Sequence, residues 1–208
     1  MGTDLKKGAE NRSGTDVKEA ALRLLDYRDR SVSELRQRLA EKFYSQEEIE
    51  EAVSDLTECG LLDDRRFAEL LVRSGISAGK GRLFLARRLK EKGVDPLLAG
   101  QVLDAMMQEE DEHLLCLRKA LSICGLSDYY EIGEDGEITV PQEGYPSFLP
   151  ELPCPLNYFE SPDENIRADR NAARRYREKE KARLTRRLLS AGFPPGTVYD
   201  AVRRIERL

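Results

Sequence analysis

Tryptophan is absent from the 208 residues, histidine occurs once (His113), and cysteine occurs only at positions 59, 116, 124 and 154. One histidine and scattered thiols without a C-x-x-C pair argue against a zinc site. So few irregularly placed cysteines do not make a disulfide framework either, and they read as free thiols of a reducing compartment. With 6 Phe and 8 Tyr, the chain is also poor in the aromatics that fill a β-sandwich. No stretch approaches the roughly 18 apolar residues of a membrane-spanning helix. Residues 1–15 are polar, unlike a signal peptide or membrane anchor, and Lys6 stands where a myristoylation signal needs Ser or Thr. This segment is expected to be a disordered tail of a cytoplasmic protein.

What remains is an apolar fraction of 40% beside a charged fraction of 35%. Such a chain suits thin layers of small helical units better than one deep core. A repeat bears this out. Ile49, Ala52, Val53 and Leu56 follow the i, i+3, i+4, i+7 spacing of a helix buried on one face. The same spacing recurs at Ala99, Val102, Leu103 and Met106, and again at Val198, Ala201, Val202 and Ile205. Before each stripe stands a second matching set: Leu35, Arg38 and Leu39; Leu85, Arg88 and Leu89; Leu184, Arg187 and Leu188.

The turns between the two sets agree as well: Phe43-Tyr44-Ser45, Gly93-Val94-Asp95 and Gly192-Phe193-Pro194. Glycine suits a helix end because it adopts a left-handed conformation without strain. Ser45 with Glu48 forms a capping box, and Pro96 and Pro195 fall at first helical positions. Tyr44 with Ile49 and Phe193 with Val198 stand as hydrophobic staples. A preceding helix completes each unit. The first starts near Asp16, boxed with Glu19, and carries Ala21, Leu22 and Leu25; Ser31 and Glu34 box the helix after it. Asp63 caps the second, with Leu62 and Phe67 as its staple. The third starts near Glu112 and carries Leu114, Leu117 and Leu121. The expected architecture is all-α, with three tandem three-helix repeats over residues 16–62, 63–110 and 111–208.

The third repeat is interrupted at about residues 125–166 by an acidic insertion with six prolines and no Lys or Arg. Tyr130-Glu131-Ile132 and Glu137-Ile138-Thr139-Val140 fit a small hairpin around Gly133–Gly136. The rest reads as a loosely packed or disordered loop.

The formal net charge of −5 is against a simple electrostatic DNA binder, but the charge is unevenly spread. Residues 126–165 hold ten acidic groups and no basic one, whereas residues 167–187 hold ten basic groups against three acidic. Residues 80–92 hold six basic groups against Glu91. Each run is either a solvated helix face or part of a binding surface. The second reading assigns Lys80, Arg82, Arg87, Arg88 and Lys90, with Arg174, Arg175, Arg177, Arg183, Arg186 and Arg187, to a basic concave surface. It would face acidic protein, DNA phosphates or both; the acidic insertion is expected as a detached loop, with folding back over this surface as the alternative.

Catalysis finds little support. Gly75…Gly79-Lys80-Gly81 falls short of a P-loop, with three residues between the glycines and no Ser or Thr after the lysine. His113 has no nucleophile that the sequence places beside it. Asp63 and Asp64 read as a helix cap and a first-turn acid that, with Phe67, fix the junction between two repeats. No metal or cofactor is expected.

These segments resemble the RecX family of bacterial regulatory proteins. The resemblance rests on Arg28-Asp29-Arg30-Ser31 through Glu34-Leu35 and Leu39, and on Gly60-Leu61-Leu62-Asp63-Asp64-Arg65-Arg66-Phe67-Ala68. It continues through Gly79-Lys80-Gly81 to Leu85, Leu89, Lys92, Gly93 and Val94, and through Leu188-Leu189-Ser190-Ala191-Gly192-Phe193. It covers residues 16 to about 124 and 174–206. The resemblance implies an elongated, curved protein lying in the groove of the RecA–DNA filament, a position that suits a monomer. It further implies restraint of filament growth, ATP hydrolysis, strand exchange and the co-protease activity that triggers the SOS response. Two other readings stay open from the residues alone: a helical DNA-binding protein, and a scaffold for an unrelated protein partner.

Overall fold

The apolar stripes lie on helices that bury nearly the residues their spacing selects. In this computed structural model, which describes residues 14–109, 112–140 and 159–207, seven helices precede a short hairpin. They are α1 (Gly14–Tyr27), α2 (Val32–Ala40), α3 (Gln46–Glu58), α4 (Asp64–Ser77), α5 (Arg82–Glu91), α6 (Pro96–Glu109) and α7 (Glu112–Cys124). Strands β1 (Glu131–Ile132) and β2 (Ile138–Thr139) pair antiparallel, with Glu131 opposite Thr139 and Ile132 opposite Ile138. Helices α8 (Glu164–Ala168), α9 (Arg170–Ser190) and α10 (Pro195–Arg207) follow. The chain is an all-α repeat fold. It divides into two units, Met1–Val72 with Ala86–Val102, and Arg73–Leu85 with Leu103–Leu208, so that α4, α5 and α6 each contribute to both.

In the first unit, α1, α2 and α3 enclose Val17, Ala21, Leu35, Leu39, Ile49, Ala52, Val53, Leu56 and Leu62. Each large aliphatic side chain buried there contributes about 1.5–3 kcal/mol. The helix ends follow the residue chemistry. Ser45 Oγ accepts the Glu48 N–H while the Glu48 carboxylate accepts the Ser45 N–H, the full capping box. Asp63 Oδ1 accepts the N–H groups of Arg65 (2.8 Å) and Arg66 (3.1 Å). Phe67 and its expected staple partner Leu62 are both buried.

Three expectations need correction here. Helix α1 begins at Gly14, so Asp16 lies in its first turn instead of capping it. Glu19 therefore boxes nothing and pairs with Arg23 at 2.6 Å. Leu22 is exposed and Val17 takes the buried place, because Val17 and Ala21, four apart, define the inner face. At α2 the box is half made: Ser31 Oγ accepts the Glu34 N–H, but the Glu34 carboxylate turns to Arg28 and Lys92.

The second unit packs α7, α9 and α10 around Leu117, Leu121, Leu184, Leu188, Phe193 and Ile205. Leu117 and Leu121 of the expected stripe are buried, while Leu114 is half-buried and Leu115 lies deeper. The ends of the insertion belong to this core. Leu126 and Phe159 are 3% and 1% exposed, and Ile132 and Ile138 of the hairpin pack against the same cluster. The expectation of loose packing fails at these ends, since aliphatic and aromatic side chains placed there have a core to enter. Residues 1–13 of the expected tail, and 141–158 of the insertion, lie outside the described residues.

Candidate functional site

Lys80 and Arg82 flank Gly81 in the turn between α4 and α5, and that turn is built for close approach. Gly79 has φ +64°. The Gly81 N–H donates to the Ala191 carbonyl at 2.9 Å, and the Leu83 N–H to the Gly192 carbonyl at 3.0 Å. A Cβ on Gly81 would stand 2.5 Å from the Gly192 oxygen. The glycines thus bring the α4–α5 turn onto the α9–α10 turn.

The expected basic residues divide between the two units. In the first, Arg87 and Arg88 pair with Glu91 at 3.9 and 3.1 Å, and Lys90 is exposed. These are exposed pairs of small energetic weight. In the second, Arg82 forms an ion pair with Asp104, and its backbone N–H donates to Glu112 at 2.9 Å. Arg183 approaches Glu180 at 3.6 Å, and Arg186 Nε donates to the Ala182 carbonyl of its own helix. Arg174, Arg175 and Arg177 are exposed on the N-terminal half of α9.

Lys80 and Arg187 differ from these. They line a cleft of about 190 Å³ with Lys119, Ser122 and Ser190, and no carboxylate is among its lining residues. Lys80 Nζ stands 4.8 Å from the Phe84 ring centroid, a cation–π placement. Lys119 Nζ donates to the Ala78 carbonyl at 3.3 Å. Sequence reasoning missed Lys119 because it is a single lysine on an otherwise apolar helix face, outside any charge run.

The remaining singled-out residues have structural surroundings. His113 Nε2 lies 2.9 Å from Asp200 Oδ2, an oxygen that also accepts from Arg204 Nε at 3.0 Å. Arg204 Nη1 donates to the Gly136 carbonyl at 2.9 Å and so ties the hairpin to α10. Burial pushes the Cys116 and Cys124 thiols up to about 12, which keeps them protonated and unreactive. Among the described residues, no group of three His, Cys, Asp or Glu side chains is placed to hold a metal ion. No described helix is long and apolar enough to cross a membrane.

Helical repeats joined by capped turns, with basic groups concentrated at one turn and one long helix, define an all-α helical-repeat protein. Comparison with known proteins sharpens this. Residues 18–56 match the first three-helix domain of RecX, and residues 63–103 the second. The chain is 30% identical over 195 residues to the regulatory protein RecX of Lactobacillus gasseri, covering 86% of this chain and 71% of that one. The RecX of Halorhodospira halophila is 35% identical over 105 residues, and that of Corynebacterium efficiens 38% over 97. Those matches cover 50% and 46% of this chain, and 63% and 46% of the relatives' own lengths. The crystal structure of RecX from Lactobacillus salivarius superposes with a TM-score of 0.63 at 16% identity, over 94% of this chain and 97% of that one. The chain belongs to the RecX family, whose named members are regulatory proteins.

Proposed function

We propose that this chain binds the RecA–DNA filament and restrains it, lowering ATP hydrolysis, strand exchange and co-protease activity in DNA repair and the SOS response. Membership of the family over 86% of the chain carries this reading. Three repeats, at 16–62, 63–110 and 111–208, would act together as a cytoplasmic monomer. The basic residues of the α4–α5 turn, α5 and α9 would meet acidic recombinase surface and DNA phosphates, contacts that weaken as salt rises. Asp63, Asp64 and Phe67 would hold the junction between the first two repeats.

Direct DNA binding without a recombinase is the second reading, favoured by the cleft of Lys80, Lys119 and Arg187, which no carboxylate lines. Titrating the chain into recombinase turning over ATP on single-stranded DNA separates the two. Inhibition at far less than one chain per subunit supports filament capping, and inhibition near stoichiometry supports groove occupancy. No inhibition at any ratio contradicts the proposal.

A further inference from the structure

A second cleft adjoins the cationic one and shares Lys119 and Ser122 with it. Its volume is about 350 Å³, and it is lined by Ile76, Ser77, Ala78, Gly79 and Leu115 together with Arg118. Beyond the two shared residues the walls differ: Lys80, Arg187 and Ser190 line the cationic cleft, whereas Ile76, Ala78 and Leu115 stand beside Ser77 and Arg118 in its neighbour. Both are built from Arg73–Leu85 and Leu103–Leu208, a single unit.

The chemistry of each half is specific. Some cations of this unit are paired within the chain, as Arg82 is with Asp104 and Lys181 with Glu206 at 2.5 Å. Lys80, Lys119 and Arg187 instead converge on a space whose remaining polar lining groups are the Ser122 and Ser190 hydroxyls. Three like charges held together repel one another, and an incoming anion relieves that. The Ser190 hydroxyl donates to the Arg187 carbonyl at 2.8 Å, and the Ser122 hydroxyl beside the cations suits a phosphate oxygen. The neighbouring cleft lies at the small end of ligand pockets, a size for one planar ring system against Ile76 and Leu115.

We propose that the two clefts together seat one unstacked nucleotide of a single DNA strand. Its phosphate lies among Lys80, Lys119 and Arg187, and its base in the neighbouring cleft against Ile76 and Leu115. A base within a duplex is stacked and paired and must be extruded before it enters, so the site selects single strands. The inference rests on the DNA-contact part of the proposed function and names the place and form of that contact.

The test is fluorescence anisotropy of a labelled single-stranded oligonucleotide with the full chain, without recombinase, over a salt series. A duplex and a strand of abasic spacers, both of matched charge, serve as comparisons. Lys119→Ala with Arg187→Ala should weaken single-strand binding about tenfold and flatten the salt dependence by roughly 0.7 for each phosphate left without its cation. Arg203→Ala with Arg207→Ala, the same charge change on exposed positions of α10, should change binding less than twofold. The abasic strand should bind about fivefold or more weakly than the normal one, as removal of a seated base requires. Equal weakening in both double variants, equal binding of duplex and single strand, or equal binding of the abasic strand would each overturn the proposal. Absence of any single-strand binding at low salt overturns it too, while the recombinase ATPase titration still decides the wider reading. Circular dichroism of both variants separates misfolding from a local change at the cleft.

Discussion

The Asp64 carboxylate, at the start of α4, accepts the backbone N–H of Val32 at 2.8 Å, so the acid that opens one helix holds the first residue of another, α2. Burial raises its carboxyl pKa, and the Val32 N–H opposes that rise. A neutral acceptor should therefore serve almost as well as the carboxylate. Asp64→Ala is expected to cost about 1–2 kcal/mol in urea unfolding, and Asp64→Asn less than half as much. Equal destabilisation in the two variants would show that charge, not acceptance, matters at this position.

Glu34 supplies the pH-dependent part of the first unit. Burial pushes its carboxyl up, but hydrogen bonds from Arg28 at 3.1 Å and Lys92 at 2.5 Å outweigh that and hold it at about 2. A carboxyl depressed on folding stabilises the fold above its unfolded value, near 4.5, and that contribution is lost as pH falls from there towards 2. Allowing for solvent screening, the loss should be about 1–2 kcal/mol. Glu34→Gln should flatten the acid side of the stability profile between pH 5 and 2, measured by urea midpoints.

Phe43 occupies the turn position that Gly93 and Gly192 hold in the other repeats. Its φ is +66°, and the residue is 89% exposed. A left-handed conformation costs an L-residue about 1–2 kcal/mol, while glycine gives back part of that through its freer unfolded state. Phe43→Gly should raise stability by up to about 1 kcal/mol. Destabilisation on thermal melting would mean that the ring makes contacts outweighing the backbone strain.

Gly81 and Gly100 make a contrasting pair. A Cβ at Gly81 meets the Gly192 carbonyl at 2.5 Å, whereas one at Gly100, within α6, meets nothing within 4 Å. Gly81→Ala should destabilise by about 1–3 kcal/mol through overpacking. Gly100→Ala should stabilise by about 0.5–1 kcal/mol through helix propensity. Denaturant midpoints of the two should move in opposite directions.

Much of the fold is readable in the chain because the repeat carries its own punctuation. Ser45, Asp63, Pro96 and Pro195 mark helix starts that the structure keeps, and the stripes from Ile49 and Val198 are buried throughout. Local spacing could not assign Leu22, since a helix with apolar residues at 17, 21, 22, 24 and 25 has two candidate inner faces. Nor could it reveal that Phe159, beyond a proline-rich stretch, returns to the core of the second unit. The site was half legible. Lys80 and Arg187 stand out in charge runs, but Lys119 joins them only by tertiary placement. Conversely, Arg82, Arg87, Arg88 and Arg183 stand in the same runs and are met by carboxylates of this chain.

The central claim, that the chain engages the recombinase filament, is tested most directly by co-sedimentation with RecA assembled on single-stranded DNA. The chain should pellet with filaments, fail to pellet with RecA lacking DNA and nucleotide, and be released as salt rises. A chain that stays in the supernatant with intact filaments at low salt, while its helical content is unchanged, would contradict the account.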